Sequence, residues 1–220
     1  IKNGYIYGFG RGIYTTGYNG NFTNMTIYSN FFSSTLYGIR LNSSPNNQVI
    51  NNNITMISIY SSATVRGIEI LNSNNNTLIN NIVNNNYAGF FPYGIYIGGS
   101  NNNILTNNTA NSNTGNKNSY GIWLSSSSNN TLTNNTANSN DYIGISILSG
   151  SNNILTGNNM TNNTLNFFIT GTNDIQYNNT IDTTNVVDGS YKIYYNFSVN
   201  NTDFGSLANA LNYYSPPVAH

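Results

Sequence analysis

The chain has 220 residues, of which 5% are charged, with six Lys and Arg balanced by six Asp and Glu. A chain this neutral has no overall field to draw in nucleic acid or an anionic membrane. The absence of cysteine excludes a disulfide framework, a thiolate nucleophile and thiolate-bound metal. With 38% hydrophobic residues, 18 Tyr and 10 Phe, there is apolar surface enough for a core, which argues against disorder. No run of about 18 apolar residues exists, so no segment reads as a membrane-spanning helix. The sequence starts at Ile1 without Met or a signal peptide, and so reads as a processed product or an excised piece of a longer chain.

Asn accounts for 51 residues. Asn tolerates left-handed backbone and bonds its own main chain, so such a chain either turns constantly or stacks its amides regularly. The repeats indicate both. After an apolar opening comes Gly12-Ile13-Tyr14, a variant of a motif that then recurs in full. The full copies are Gly38-Ile39-Arg40-Leu41, Gly67-Ile68-Glu69-Ile70, Gly94-Ile95-Tyr96-Ile97, Gly121-Ile122-Trp123-Leu124 and Gly144-Ile145-Ser146-Ile147. A degenerate copy, Asn166-Phe167-Phe168-Ile169, follows. Eleven positions after each full Gly stands an aliphatic residue, Val49, Leu78, Leu105, Leu132 or Leu155, and two further on a polar pair such as Asn107-Asn108. Ile1 and Ile27 take the aliphatic slot upstream; Gln176 takes it, less well, downstream. The repeat thus varies from 21 to 29 residues, with the variation assigned to loops at 33–35, 85–89 and 113–117.

In Gly-Ile-x-Leu, strand alternation sends Ile and Leu to one face and x to the other. The segments lack helical spacing and are rich in β-branched and aromatic residues. A leucine-rich repeat would need a regular L-x-x-L-x-L pattern, and a propeller blade a period of about 40 or more. The fold class is therefore all-β: a parallel β-helix of about seven to eight coils, since one coil cannot bury its own apolar face. The coils span residues 1–190. Residues 191–220 read as an irregular continuation or partial cap, with a short helix at 204–211 and a possible lead into a further domain.

At these residues the chain resembles the right-handed parallel β-helix repeat proteins grouped with NosD-like periplasmic and archaeal surface proteins, within the wider pectate-lyase-like solenoids. The opening Ile1-Lys2-Asn3-Gly4-Tyr5-Ile6-Tyr7-Gly8-Phe9-Gly10 is similar to that family's first recognisable coil, and residues 94–135 are close to its consensus. The segment 181–189 resembles one that archaeal members use between solenoid sections. The resemblance covers roughly residues 1–190 and implies an exported protein. Some relatives assist copper-site assembly, others cleave or epimerise polysaccharides, and many are surface proteins. A fold does not by itself imply a function.

The chemistry-bearing residues are few. The carboxylates Glu69, Asp141, Asp174, Asp182, Asp188 and Asp203 share no slot in adjacent coils, and Asp182 and Asp188 read as turn residues. Copper would need clustered His, Met or Cys. The one histidine is His220, and Met25, Met56 and Met160 lie far apart and read as core filling. No Gly-x-Ser-x-Gly elbow exists. Neither a catalytic centre nor a cofactor or metal site is expected. One constellation stands out: the outward x reads Tyr14, Arg40, Glu69, Tyr96, Trp123, Ser146, Phe168. Stacked coils place these in one column, with Arg40 beside Glu69, an ion pair worth only about 0–1 kcal/mol where exposed, and Tyr96 beside Trp123 as an exposed aromatic pair. The column serves either as cover for the sheet or as a contact surface for sugar rings or a partner protein.

Thirteen N-x-S/T sequons, at Asn21, Asn24, Asn42, Asn53, Asn75, Asn107, Asn129, Asn134, Asn159, Asn162, Asn178, Asn196 and Asn200, are acceptors if the chain meets a glycosylation machinery. Many arise from Asn, Ser and Thr abundance alone. The expected role is that of a non-enzymatic extracellular structural module of a surface layer, sheath, filament or adhesin. Its expected partners are copies of itself or neighbouring domains joined end to end, because an uncovered solenoid end exposes apolar column and free backbone. The alternative is a carbohydrate-binding or carbohydrate-modifying β-helix.

Overall fold

The computed structural model describes residues 1–7, 11–16, 24–33, 36–55, 64–116, 118–189, 191–193 and 195–196. Each turn of the chain lays one strand into each of three parallel sheets. The broad sheet holds Arg11–Thr16, Tyr37–Asn42, Val65–Leu71, Pro92–Gly98, Tyr120–Ser125, Ile143–Leu148 and Leu165–Thr170. The second runs from Thr26–Tyr28 to Thr180–Ile181. The third begins at Tyr5–Tyr7, continues through single bridges at Thr109 and Thr136, and reaches Val186–Val187. This is a parallel β-helix.

The registers follow the alternation expected of the motif. Ile13, Ile39, Ile68, Ile95, Ile122, Ile145 and Phe167 stand over one another in the broad sheet, and so do Leu41, Ile70, Ile97, Leu124, Ile147 and Ile169. In the second sheet Ile27, Val49, Leu78, Leu105, Leu132, Leu155 and Ile181 form the facing column. Phe32, Ile54, Val83, Ala110, Ala137, Met160 and Val187 complete the core from the third side. Met160 is fully buried and Met25 packs partly against the core, while Met56 lies outside the described residues.

Among the described residues the stack has seven rungs and about six full turns. The slot after Leu155 is filled by Ile181 and not by Gln176, because residues 171–177 bulge out around a 3₁₀ turn, Asp174–Tyr177, before Asn179 rejoins the stack. The loops also start later than expected. Asn86 and Asn113 are fully buried stacking positions, and Tyr87–Ala88 pairs with Thr114–Gly115 as a small extra ladder. Of the first loop, Ser33 ends a strand and residues 34 and 35 lie outside the described set.

The motif glycine has a steric cause. A Cβ built on Gly38, Gly67, Gly94, Gly121 or Gly144 would stand 2.6–2.8 Å from the carbonyl oxygen of the corresponding residue one rung on. Such an approach admits no side chain. Asn166 escapes the restriction because Leu165–Thr170 is the last rung of this sheet, and its amide donates instead to Asp188 (2.8 Å).

The corners explain the asparagines. Each is a doublet or its equivalent. The first member takes left-handed backbone, as at Asn46, Asn51, Asn75, Asn80, Asn102, Asn107, Asn129 and Asn134, with φ between 54° and 60°. The second turns inward, buried, and stacks on its counterparts. In the ladder Asn30, Asn52, Asn81, Asn108, Asn135, Asn158, Asn185, both the backbone N–H and the Nδ2 of each donate to the Oδ1 of the next at 2.8–3.1 Å. From Asn52 onward, Nδ2 also donates to a carbonyl one rung back. Parallel ladders run through Asn47, Asn76, Asn103, Asn130, Asn153 and Asn179, and through Asn86, Asn113, Asn140 and Asn163. Ser44, Ser73, Ser100 and Ser127 do the same with hydroxyls. Outer ladders run the other way: the backbone N–H of Asn101 donates back to Asn74, and that of Ser128 back to Asn101.

Beyond the last rungs the direction reverses. Tyr191–Lys192 pairs antiparallel with Val186–Val187, and Tyr195–Asn196 antiparallel with Thr180–Ile181. Asp182 and Asp188 act as turn residues: Asp182 accepts from the Thr184 N–H at 3.0 Å, and Asp188 accepts from the Asn162 N–H at 3.1 Å. The helix expected at 204–211 lies outside the described residues, as do Asp203 and His220. No described helix is long and apolar enough to cross a membrane.

Leu105→Asn, which places an amide in the apolar column, is expected to cost about 4 kcal/mol of stability from lost burial and unpaired polar groups. The doublet makes a sharper test. Asn108→Ala strands the two Asn81 donors and two acceptors and should cost about 2–4 kcal/mol, against about 1 kcal/mol for Asn107→Ala, which only puts Ala in left-handed backbone. Urea melts of the two variants should differ accordingly; equal losses would show that the inward amides do not carry the corners.

Candidate functional site

The outward side of the broad sheet carries two side-chain columns. One is the x position of the motif: Tyr14, Arg40, Glu69, Tyr96, Trp123, Ser146 and Phe168 are direct neighbours in consecutive rungs. The other is the residue just before each motif glycine: Arg11, Tyr37, Arg66, Tyr93, Tyr120, Ile143 and Leu165. Sequence reasoning missed this second column. Its signal was present, since Arg or Tyr precedes the glycine at positions 11, 37, 66, 93 and 120.

All three arginines of the chain, its one glutamate and its one tryptophan lie on this face. They divide along the axis. The early rungs hold the arginines. Arg11 sits over the Tyr14 ring at 4.3 Å, Arg40 over Tyr14 and Tyr37 at 5.1 and 5.0 Å, and Arg66 over Tyr96 at 4.8 Å. Such cation–π contacts hold a guanidinium flat on the sheet. The later rungs hold the aromatics. Trp123 lies 5.1 Å from Tyr93, 5.1 Å from Tyr96 and 4.9 Å from Tyr120, stacked on the last at 15°. Tyr142 meets Tyr120 edge-on at 5.6 Å. Tyr93 is buried beneath the others, and that burial raises its pKa well above the usual phenol range.

Glu69 stands beside Arg40 as the register requires, but in a buried position. It is 0% exposed, with Oε2 2.6 Å from Arg40 Nε and Oε1 bonded to Arg66 Nη1. Burial is deepest here because Tyr and Arg side chains of the flanking rungs cover the strand. The pKa of Glu69 is raised: desolvation outweighs the pull of Arg66 and Arg40. Tyr96 and Trp123 are likewise half-buried within a larger aromatic group, rather than an isolated exposed pair.

The other candidate residues do not join this site. Asp141 accepts from the Gly115 N–H at 3.0 Å, and Asp174 opens the 3₁₀ turn. Among the described residues no three His, Cys, Asp or Glu side chains converge. Met25 and Met160 lie in the first and last thirds of the stack, both directed to the core. The donor set among the described residues does not fit a copper centre. Among the sequons, Asn24, Asn53, Asn75, Asn107, Asn129, Asn134 and Asn162 are exposed, and Asn42, Asn159 and Asn178 half-buried. Asn162 and Asn178 already donate from Nδ2, to Ser139 and Asn152. Asn21, Asn200 and the Asn196 side chain lie outside the described set.

The Glu69 pKa has a consequence for stability. A carboxyl whose folded pKa is raised contributes stability that is present below its unfolded pKa and lost as pH rises through the folded value. Removing Arg40 takes away a cation that opposes this loss. Arg40→Met should therefore destabilise by about 2 kcal/mol at pH 7, discounted from a fully buried pair because the guanidinium is partly exposed. At pH 4, with Glu69 protonated, the loss should shrink below about 1 kcal/mol. Thermal melts of both proteins at the two pH values measure this; a pH-independent difference would refute it.

The family described as periplasmic copper-binding protein (NosD) matches residues 1–198. Among solved structures, the periplasmic alginate epimerase AlgG is similar at 16% identity and TM-score 0.47, over 77% of this chain and 48% of that one. A double mutant of AlgG gives 17% identity and TM-score 0.47, over 78% and 51%. The chain thus spans about half the length of these structures. No curated protein matches the sequence. With nine-tenths of its residues under one family pattern and the coil repeat visible rung by rung, the chain belongs to the NosD family of parallel β-helix proteins.

Proposed function

We propose that this chain is an exported β-helix protein that binds a linear glycan along the outer face of its broad sheet, without catalysing a reaction on it. The observation that carries the reading is the in-register group of Tyr96, Tyr120 and Trp123, with Tyr93 beneath. Aromatic rings supply wide, stiff, amphipathic surface at low entropic cost, which suits the flat apolar faces of sugar rings. An extended chain laid along the stack axis meets an equivalent rung about every 4.8 Å. Export is in keeping with the description of the family as periplasmic. The described carboxylates favour binding over turnover: Glu69 is enclosed between two guanidiniums, and the others are turn or loop residues.

A second reading, the structural module of a surface layer or filament, draws on the stiffness that continuous amide ladders give the stack. In that reading the same rings merely cover the sheet. Affinity electrophoresis against a panel of neutral and charged polysaccharides separates the two. Trp123→Ala should bind the retarding glycan at least tenfold more weakly, with Tm lowered only modestly because Trp123 is half-exposed. Absence of retardation by every polymer, or full retention of binding in Trp123→Ala, would leave the structural reading.

A further inference from the structure

We propose that the arginine end of the broad face is an oxyanion site, in which Arg11, Arg40 and Arg66 receive a carboxylate, sulfate or phosphate group of the ligand. The inference rests on the glycan-binding reading for its ligand, but not for its chemistry. A chain with six Lys and Arg in 220 residues places all three arginines on consecutive rungs of one sheet face. Lys2 and Lys192 lie on other sheets. Glu69 is the one acidic side chain among them, so the cluster keeps two uncompensated positive charges.

Glu69 also leaves the guanidiniums with donors to spare. It engages Nε of Arg40 and Nη1 of Arg66. A guanidinium carries five N–H donors. Among the described residues no hydrogen bond uses either Nη of Arg40 or Nη2 of Arg66, while Nε of Arg40, Nε of Arg66 and Oε2 of Glu69 are buried without a hydrogen bond, Arg40 and Glu69 meeting only as an ion pair. A buried donor left unpaired costs about as much as a lost hydrogen bond. An incoming oxyanion bridging the two forks satisfies them in the bidentate geometry that guanidinium favours. The Tyr14, Tyr37 and Tyr96 rings hold the forks flat, so little side-chain entropy remains to be lost on binding. Glu69 becomes the internal counter-charge that fixes the spacing of the two forks.

The arrangement orients the ligand. Anionic groups lie toward the early rungs and ring faces stack on Tyr120 and Trp123 toward the later ones, so a glycan bearing acidic groups binds in one direction along the axis.

Dextran sulfate and unsubstituted dextran differ in charge on a common backbone and make the test, with inorganic sulfate as competitor. Dextran sulfate should bind at least tenfold more tightly than dextran. The affinity should fall steeply between 50 and 200 mM salt, marking it as electrostatic (about one power of ten or more by analogy with multi-contact polyanion binding). Arg11→Gln, an exposed substitution that leaves the Glu69 pairs intact, should lower it about fivefold, and Arg11→Gln with Arg40→Lys further. Competition by millimolar inorganic sulfate identifies the free oxyanion as sufficient; its failure to compete assigns recognition to the substituted polymer, and either result supports the site. Equal affinity for the two dextrans, or no effect of either variant on dextran sulfate binding, overturns it. Loss of neutral-glycan binding in Trp123→Ala reads out the aromatic end separately.

Discussion

Everything in this molecule depends on an amide that bonds both ways along the axis. An inward Asn accepts two hydrogen bonds from the rung before and donates to a carbonyl there and to the amide of the rung after. A tight corner exposes main-chain donors that strand pairing cannot reach, and the interior offers no water to satisfy them. The side-chain oxygen takes them up. Each bond is worth only about 1 kcal/mol net, but the ladders repeat at three corners and at nearly every rung. That lets the strands be as short as three residues in the second sheet, and it lets the third sheet shrink to single bridges at Thr109 and Thr136 without opening the core.

The same device frees the broad sheet for other work. With the corners held by amides and the core filled from three sides, the outward residues of the broad strands carry no obligation to the fold beyond covering it. They are where the composition departs from Asn, Ser and Thr. Arginine, glutamate and tryptophan, scarce elsewhere, concentrate there. The raised pKa of Glu69 reflects the desolvation that burial imposes on the carboxyl, only partly offset by Arg66 and Arg40.

The fold was legible in the sequence because period-two alternation and a glycine at fixed offset were enough to set the register. Arg40, Glu69, Tyr96 and Trp123 could be placed side by side from their position in Gly-Ile-x-Leu alone, and the structure pairs them so. The second column was not legible by that rule. Alternation places the residue before the glycine in the interior; the chain bends at the glycine, where the next rung's carbonyl crowds in, and Arg66, Tyr93 and Tyr120 come out on the same side as the x residues. Gln176 misled because its spacing matched while residues 171–177 left the stack, and Ile181 holds the slot. Burial of Glu69 could not be read either, since it depends on Arg and Tyr side chains from three rungs closing over one strand.

The inner ladders donate toward the later rungs from the main chain, whereas the outer ladders at Asn101 and Ser128 donate toward the earlier ones. These are all neutral groups. Mobile ions screen charge–charge attraction within about 10 Å at 0.1 M salt, yet have nothing to screen in a stack whose cohesion comes from amides and apolar columns. A rod built this way keeps its shape in fresh water and in brine alike, and leaves sensitivity to the surrounding electrolyte to the three guanidiniums of one face.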